Sequence, residues 1–263
     1  MSYRFALLKD PGADILRIVT EQLDVAITQL EQRRTSQSKR IHEARKAIKK
    51  TRSALRLIRR AIPTEAYDAA ITTLRDVARS LAPLRDADVM QQTAAALTNK
   101  PKPATAKPSR TPLPPFAAPL HQLKASISTT WPWQDIDPVI IAKGFAQTIR
   151  AFQKAFQATT NTNDPELFHT WRKRAKDLRY QSLILEPLWP ALFQAIAETA
   201  QKTEELLGED HDLAVLTQHQ PQHTAQATER QQQLRRKVRK LGQRLSAEDP
   251  KAWKRRIIAW FHL

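Results

Sequence analysis

The chain has 263 residues, 41% of them hydrophobic, and a formal charge of +17 from 43 basic against 26 acidic residues. It is long and apolar enough to bury a sizeable core, so the excess charge rides on a folded body and not on a disordered tail. Cysteine is absent, which excludes disulfides and thiolate metal sites. A balance this basic points to polyanionic partners (nucleic acid, polyphosphate or an anionic membrane surface), set against a merely solvated basic face. Met1 to Lys9 lacks the apolar core of a signal peptide and no run approaches about 18 apolar residues, so a soluble, cytoplasmic protein is the expectation.

Helical periodicity dominates, and only four glycines occur. The first predicted helix runs from Asp14 to about Arg34, with Ile15, Ile18, Val19, Leu23, Ala26, Ile27 and Leu30 on one face. An Arg-rich helix follows from about Ser38 to Ala61 and ends before Pro63. Thr64 is read as the N-cap of a third helix through Ala82, and Pro83 separates it from a shorter one over Arg85 to Leu97. Between Asn99 and Pro119, proline recurs among Lys, Ala, Ser and Thr, which reads as a stiff connector unable to build a core.

Asp137-Pro138 starts a helix to about Ala158, and Asp164-Pro165-Glu166 opens a second basic helix ending near Glu186-Pro187. A helix from about Trp189 to Leu207 is expected to stop at Gly208. Two or three further helices reach the end, including the basic stretch Arg230 to Arg244.

One pattern occurs twice. His42, Arg45, Lys46, Lys49 and Arg52 recur in order and spacing as His169, Arg172, Lys173, Lys176 and Arg179. At about 100° per residue these five fall near 0°, 300°, 40°, 340° and 280°, a narrow basic stripe. The apolar residues (Ile41, Ala44, Ile48, Thr51, Leu55 and Ile58; Phe168, Trp171, Ala175, Leu178 and Leu185) lie on another arc, so Phe168 and Trp171, with Trp189, read as core. Each helix buries one face and holds fixed cations on another, a surface suited to a long, repeating anion.

Arg56 extends the first stripe and Arg59 flanks its end. From Lys39 to Arg60 there are ten basic residues and one acid, Glu43, whereas a solubilising face mixes signs. A second marker, Leu81-Ala82-Pro83-Leu84-Arg85-Asp86, matches Leu207-Gly208-Glu209-Asp210-His211-Asp212. The basic motifs lie 127 positions apart and the markers 126 apart. The reading is therefore all-α: duplicated four-helix-bundle units packed with pseudo-twofold symmetry, with repeats at residues 14–98 and 137–220, a connector at 99–136 and C-terminal helices at 221–263.

These residues resemble the CHAD family, the conserved histidine α-helical domain, whose two repeats each carry a His-x-x-Arg-x-x-x-Lys/Arg-x-x-Arg helix followed by a Leu-Gly-x-x-Arg/His-Asp-like marker. The resemblance covers nearly the whole chain, which reads as a single domain over 1–263. It implies two halves facing each other across a basic central channel that binds inorganic polyphosphate, and an association with polyphosphate granules. Carried over by position, the site comprises His42, Arg45, Lys46, Lys49 and Arg52 with His169, Arg172, Lys173, Lys176 and Arg179. Arg56, Arg59, Arg85 and His211 join them as candidates. The chain departs from the family at Pro83, where a glycine is usual, and at Asp177, which answers Lys50 and thins the second stripe.

Non-catalytic polyphosphate binding is the leading reading, because numerous charge-assisted contacts and counterion release suit such a ligand. Nucleic acid is the alternative partner, although only Tyr180 supplies an aromatic at the edge of the stripes. An enzyme is not expected, since there is no Gly-x-x-x-x-Gly-Lys loop or metal-ligand set. No cofactor or metal is expected either: His211-Asp212 looks like a metal phosphohydrolase pair without the further ligands, and reads as a cap or a phosphate contact. Asp86, Asp88 and Asp212 read as helix-start residues. Arg235, Arg236, Lys237, Arg239 and Lys240 read either as a solvated face or as an extension of the site, and protonation of His42 and His169 is expected to strengthen binding as pH falls toward about 6.5.

Overall fold

The computed structural model describes residues 3–6, 10–32, 34–81 and 113–263. Among the described residues all regular structure is helical, with nine α-helices. Two compact units divide the chain: the described residues up to Leu81 with 113–144, and then 145–263. The helix predicted over Arg85 to Leu97, including Arg85, Asp86 and Asp88, lies outside the described residues.

In the first unit α1 (Pro11–Glu31) and α2 (Gln37–Leu57) form a helical hairpin. The start of α1 lies three residues earlier than predicted, because Asp10 caps the helix by accepting from Ala13 N at 2.9 Å and Pro11 is tolerated in the first turn. The predicted apolar face is the core: Ile15, Ile18, Val19, Leu23, Ala26 and Leu30 are fully buried, as are Ile41, Ala44, Ile48 and Leu55 of α2.

The third helix, α3 (Thr64–Ser80), corrects the reading of Thr64. Pro63 holds the N-cap position without a side-chain cap, and Thr64 is already helical. A larger correction is α4 (Ala118–Thr130), inside the segment read as a connector without a core. It packs on α1 and α3 through buried Leu120 and Ile127 and is tied to α1 by Lys124–Asp24 at 2.6 Å and His121–Glu31 at 2.8 Å. Behind it Trp131 and Trp133 stack, and Trp133 Nε1 donates to Ile127 O at 2.7 Å. Pro119 falls within the first turn of α4, where it breaks nothing, so local proline density concealed a core element.

The helix α5 (Pro138–Ala158) matches its predicted limits, and its residues from Phe145 onward belong to the second unit. That unit continues with α6 (Pro165–Leu185), α7 (Pro190–His219), α8 (Thr224–Leu245) and α9 (Pro250–Trp260), α7 packing on both α6 and α8. Asp164 caps α6 as expected, accepting from Glu166 N at 2.9 Å. Trp171 is fully buried among Phe152, Phe156 and Phe168, as predicted for the apolar arc. Trp189 departs from its reading as core: it is 49% exposed at the start of α7, edge-on to Trp260.

The predicted stop at Gly208 does not occur, since α7 runs through it for 30 residues. Asp212 is accordingly mid-helix and opens no helix, and His211 is no cap. Among the described residues no helix is long and apolar enough to cross a membrane.

Candidate functional site

The stripe of α2 begins one turn inside the helix, whose N-cap Ser36 accepts from Lys39 N. His42 and Lys46 stand out from the surface with side chains 49% and 45% exposed, and Glu43 lies between them, 3.9 Å from His42 Nε2 and 3.4 Å from Lys46 Nζ. Lys49, Arg52 and Arg56 follow half-buried along the same face. Arg45 Nη1 donates to Ala78 O at 3.1 Å and holds the last turns of α3.

Not every cation of this helix joins the stripe. Arg40 is fully buried, donating to Gln32 O, and the Lys50 ammonium sits over the Tyr3 ring at 4.6 Å. Arg59, a candidate from the sequence, braces the α2–α3 turn: it donates to Ile62 O at 3.3 Å and Thr64 Oγ1 at 3.2 Å, and stacks on Tyr67 at 4.4 Å. Its hydrogen-bonding edge is directed at the protein, so it narrows the candidate set.

In the second unit the stripe of α6 meets a matching row on α7. Glu204, Gly208 and His211 are spaced by four and three residues and share one face of that helix. Running down α6, Arg179 and Lys176 meet Glu204, Arg172 meets Gly208, and His169 meets His211. Lys176 Nζ lies 3.5 Å from Glu204 Oε1 and Arg179 Nη1 lies 3.1 Å from Oε2. At Gly208 an added Cβ would stand 3.1 Å from Arg172 Nη2, so the guanidinium lies close against α7 here and would have to give by a few tenths of an ångström to admit a side chain. The His169 and His211 rings stack with centroids 4.2 Å apart. Lys173 remains exposed, and Asp177, the residue that thins the stripe, pairs with Arg174 at 3.2 Å.

Burial and surrounding cations set the electrostatics. His169 is held down to about 4, first by desolvation and then by His211, Lys173, Arg172 and Lys176. His211 is lowered by burial and Arg172, with Asp212, Glu166 and Asp210 opposing. Lys176 is lowered to about 8 by burial and Arg172, with Glu204 opposing.

Protonation of His169, expected near pH 6.5 from the sequence, therefore moves to lower pH, as does that of His211. Below about 6.5 an unfolded chain takes up protons at these histidines that the folded chain refuses, so stability held above that pH is lost as pH falls toward about 4. Thermal melts at pH 7, 5.5 and 4.5 are expected to show this loss, and His169→Gln to reduce it. An identical slope in the variant would remove His169 from the account.

A brace behind the site was not legible in the sequence. Asp210, 1% exposed, receives Arg235 Nε at 2.7 Å and Nη2 at 3.2 Å. Arg235 also donates to Asn163, just before the cap of α6, and covers the Phe168 ring at 4.2 Å. Burial raises Asp210 despite its partner. Arg235, read as solvated or as part of the anion site, is neither: at 7% exposure it joins α8 to α7 and to the entry of α6. Among the described residues no cluster of three or more His, Asp or Glu side chains is placed to hold a metal.

A family model described as the CHAD domain matches residues 17–221. A crystal structure of the CHAD domain from the plant Ricinus communis is similar in fold, with a TM-score of 0.51 and 19% identity over 100% of this chain and 93% of that one. No curated protein matches the chain.

Proposed function

This chain belongs to the CHAD domain family, and from that premise we propose that it binds inorganic polyphosphate without turning it over, at polyphosphate granules in the cytoplasm. The observation that carries this reading is the repeated row of basic side chains, each headed by a histidine, on single helix faces: Lys46, Lys49, Arg52 and Arg56 after His42 on α2, and Arg172 and Lys173 after His169 on α6. A helix repeats its side chains about every 5.4 Å along the axis, so a flexible chain of phosphates meets a new donor at each turn. Arginine supplies a planar fork for paired oxygens and lysine a mobile point charge.

Nucleic acid is the weaker partner. Stacking on aromatic side chains supplies much of the affinity for single strands, and Tyr180 is 5% exposed, beneath Arg179. Near the second stripe, Asp177, Glu204 and Asp210 are each engaged by a cation, which suits a binding surface better than acid–base chemistry.

A competition titration tests the reading. Long-chain polyphosphate is expected to displace duplex DNA at far lower phosphate concentration than DNA displaces polyphosphate. Affinity should fall steeply between 50 and 200 mM salt, the concentration range over which counterion release is usually read. Preferential binding of DNA, or release of orthophosphate from the polymer, would overturn it.

A further inference from the structure

The second repeat carries an anion of its own. The Glu204 carboxylate bridges two stripe cations, with one oxygen at Lys176 and the other at Arg179. The side chains of Glu204 and Lys176 are each 16% exposed and that of Arg179 is 24% exposed, so solvent and salt screen this arrangement weakly. The 126-residue offset of the markers places Ala78 at the equivalent position in the first repeat. Ala78 has no carboxylate and offers only its carbonyl, to Arg45. At this position the two repeats therefore differ by one acidic side chain.

We propose that Glu204 is a built-in competitor at the second stripe, a carboxylate that a phosphate group must displace from Lys176 and Arg179, so that this stripe selects long, densely charged anions over short ones. The inference rests on the polyphosphate reading and deepens it. A lone orthophosphate or sulfate arriving at these cations exchanges one anion for another and gains little. A polymer can make the same exchange while adjoining phosphates engage Arg172 and Lys173, toward the other end of the row. Displacement then follows from many simultaneous contacts, which only length provides. Glu204 also explains how Lys176 stays cationic at neutral pH where burial and Arg172 work against its charge.

The test is a set of titrations with long-chain polyphosphate and tripolyphosphate on the wild-type chain, Glu204→Gln and Glu205→Gln. Glu205 is the control: it carries the same charge one residue away, 52% exposed and paired with Lys202. Glu204→Gln is expected to tighten the long polymer roughly 10-fold and tripolyphosphate by more, narrowing the preference for length, whereas Glu205→Gln changes either by less than about 2-fold. A measurement on the wild-type chain needs no variant to fold: the Glu204 carboxyl carbon signal is expected to move on saturation with polyphosphate. Equal effects of the two substitutions, or a stationary carboxyl signal in a chain that binds, would overturn the role of Glu204 and leave the polyphosphate reading standing. No binding by any of the three chains would sink that reading and this inference with it.

Discussion

A chain carrying Lys46→Glu together with Lys49→Glu is expected to lose about 100-fold or more in affinity for long-chain polyphosphate while melting within a few degrees of the wild type. The two lysines flank His42 on the helical wheel, near 40° and 340°, at the centre of the α2 stripe. Each charge-assisted contact contributes about 1.5–3 kcal/mol, so losing two costs at least about 3 kcal/mol before repulsion is added, and that is at least about two decades in the dissociation constant. Arg45 lies in the same stripe but is a poorer target, because its bond to Ala78 O fastens α2 to α3 and its reversal would mix stability with binding. The pair Lys46→Gln and Lys49→Gln should fall between, and the log–log salt slope should drop by roughly one to two. Wild-type affinity in the doubly reversed chain, measured by titration alongside a melting curve, would remove α2 from the site.

The second large effect concerns stability. Asp210→Ala leaves the Arg235 guanidinium buried beside Phe168 without its carboxylate, and is expected to cost about 3–5 kcal/mol in urea unfolding. The apolar double replacement Asp210→Leu with Arg235→Met should recover much of that loss, because a buried pair is worth little against well-packed apolar groups while a buried orphan charge is expensive. Since Asp210 immediately precedes His211, and Arg235 also reaches Asn163 ahead of α6, Asp210→Ala should loosen the His169–His211 stack as well. A loss below about 1 kcal/mol would mean that the pair is not the brace of this unit.

Much of the molecule was readable from local pattern. The apolar arcs of α1, α2 and α6 are the buried ones because a 3.6-residue period and one-sided burial are properties of the helix itself. The repeated motif is visible in the sequence as two landmarks at nearly equal offsets. Where the structure departs from local pattern, a residue type plays a role other than its commonest one. Proline around Pro119 stood for a connector and concealed α4, although a first-turn proline is compatible with a helix that packs. Gly208 stood for a stop and concealed the continuous α7, and with it the shared face of Glu204, Gly208 and His211.

The sequence by itself determined an all-helical chain, the faces its helices bury, and the placing of its cations in two rows, because each of these depends on neighbours within one or two turns. Only the tertiary structure decided which of these cations are tied to particular partners. Arg59 is drawn to Thr64 and Tyr67, Arg235 to Asp210 some 25 residues away, and Lys176 and Arg179 to a glutamate on the next helix. The physical reason is that a charge is set by what lies within a few ångströms of it, and that neighbour is chosen by packing between helices, which periodicity along a single helix does not encode.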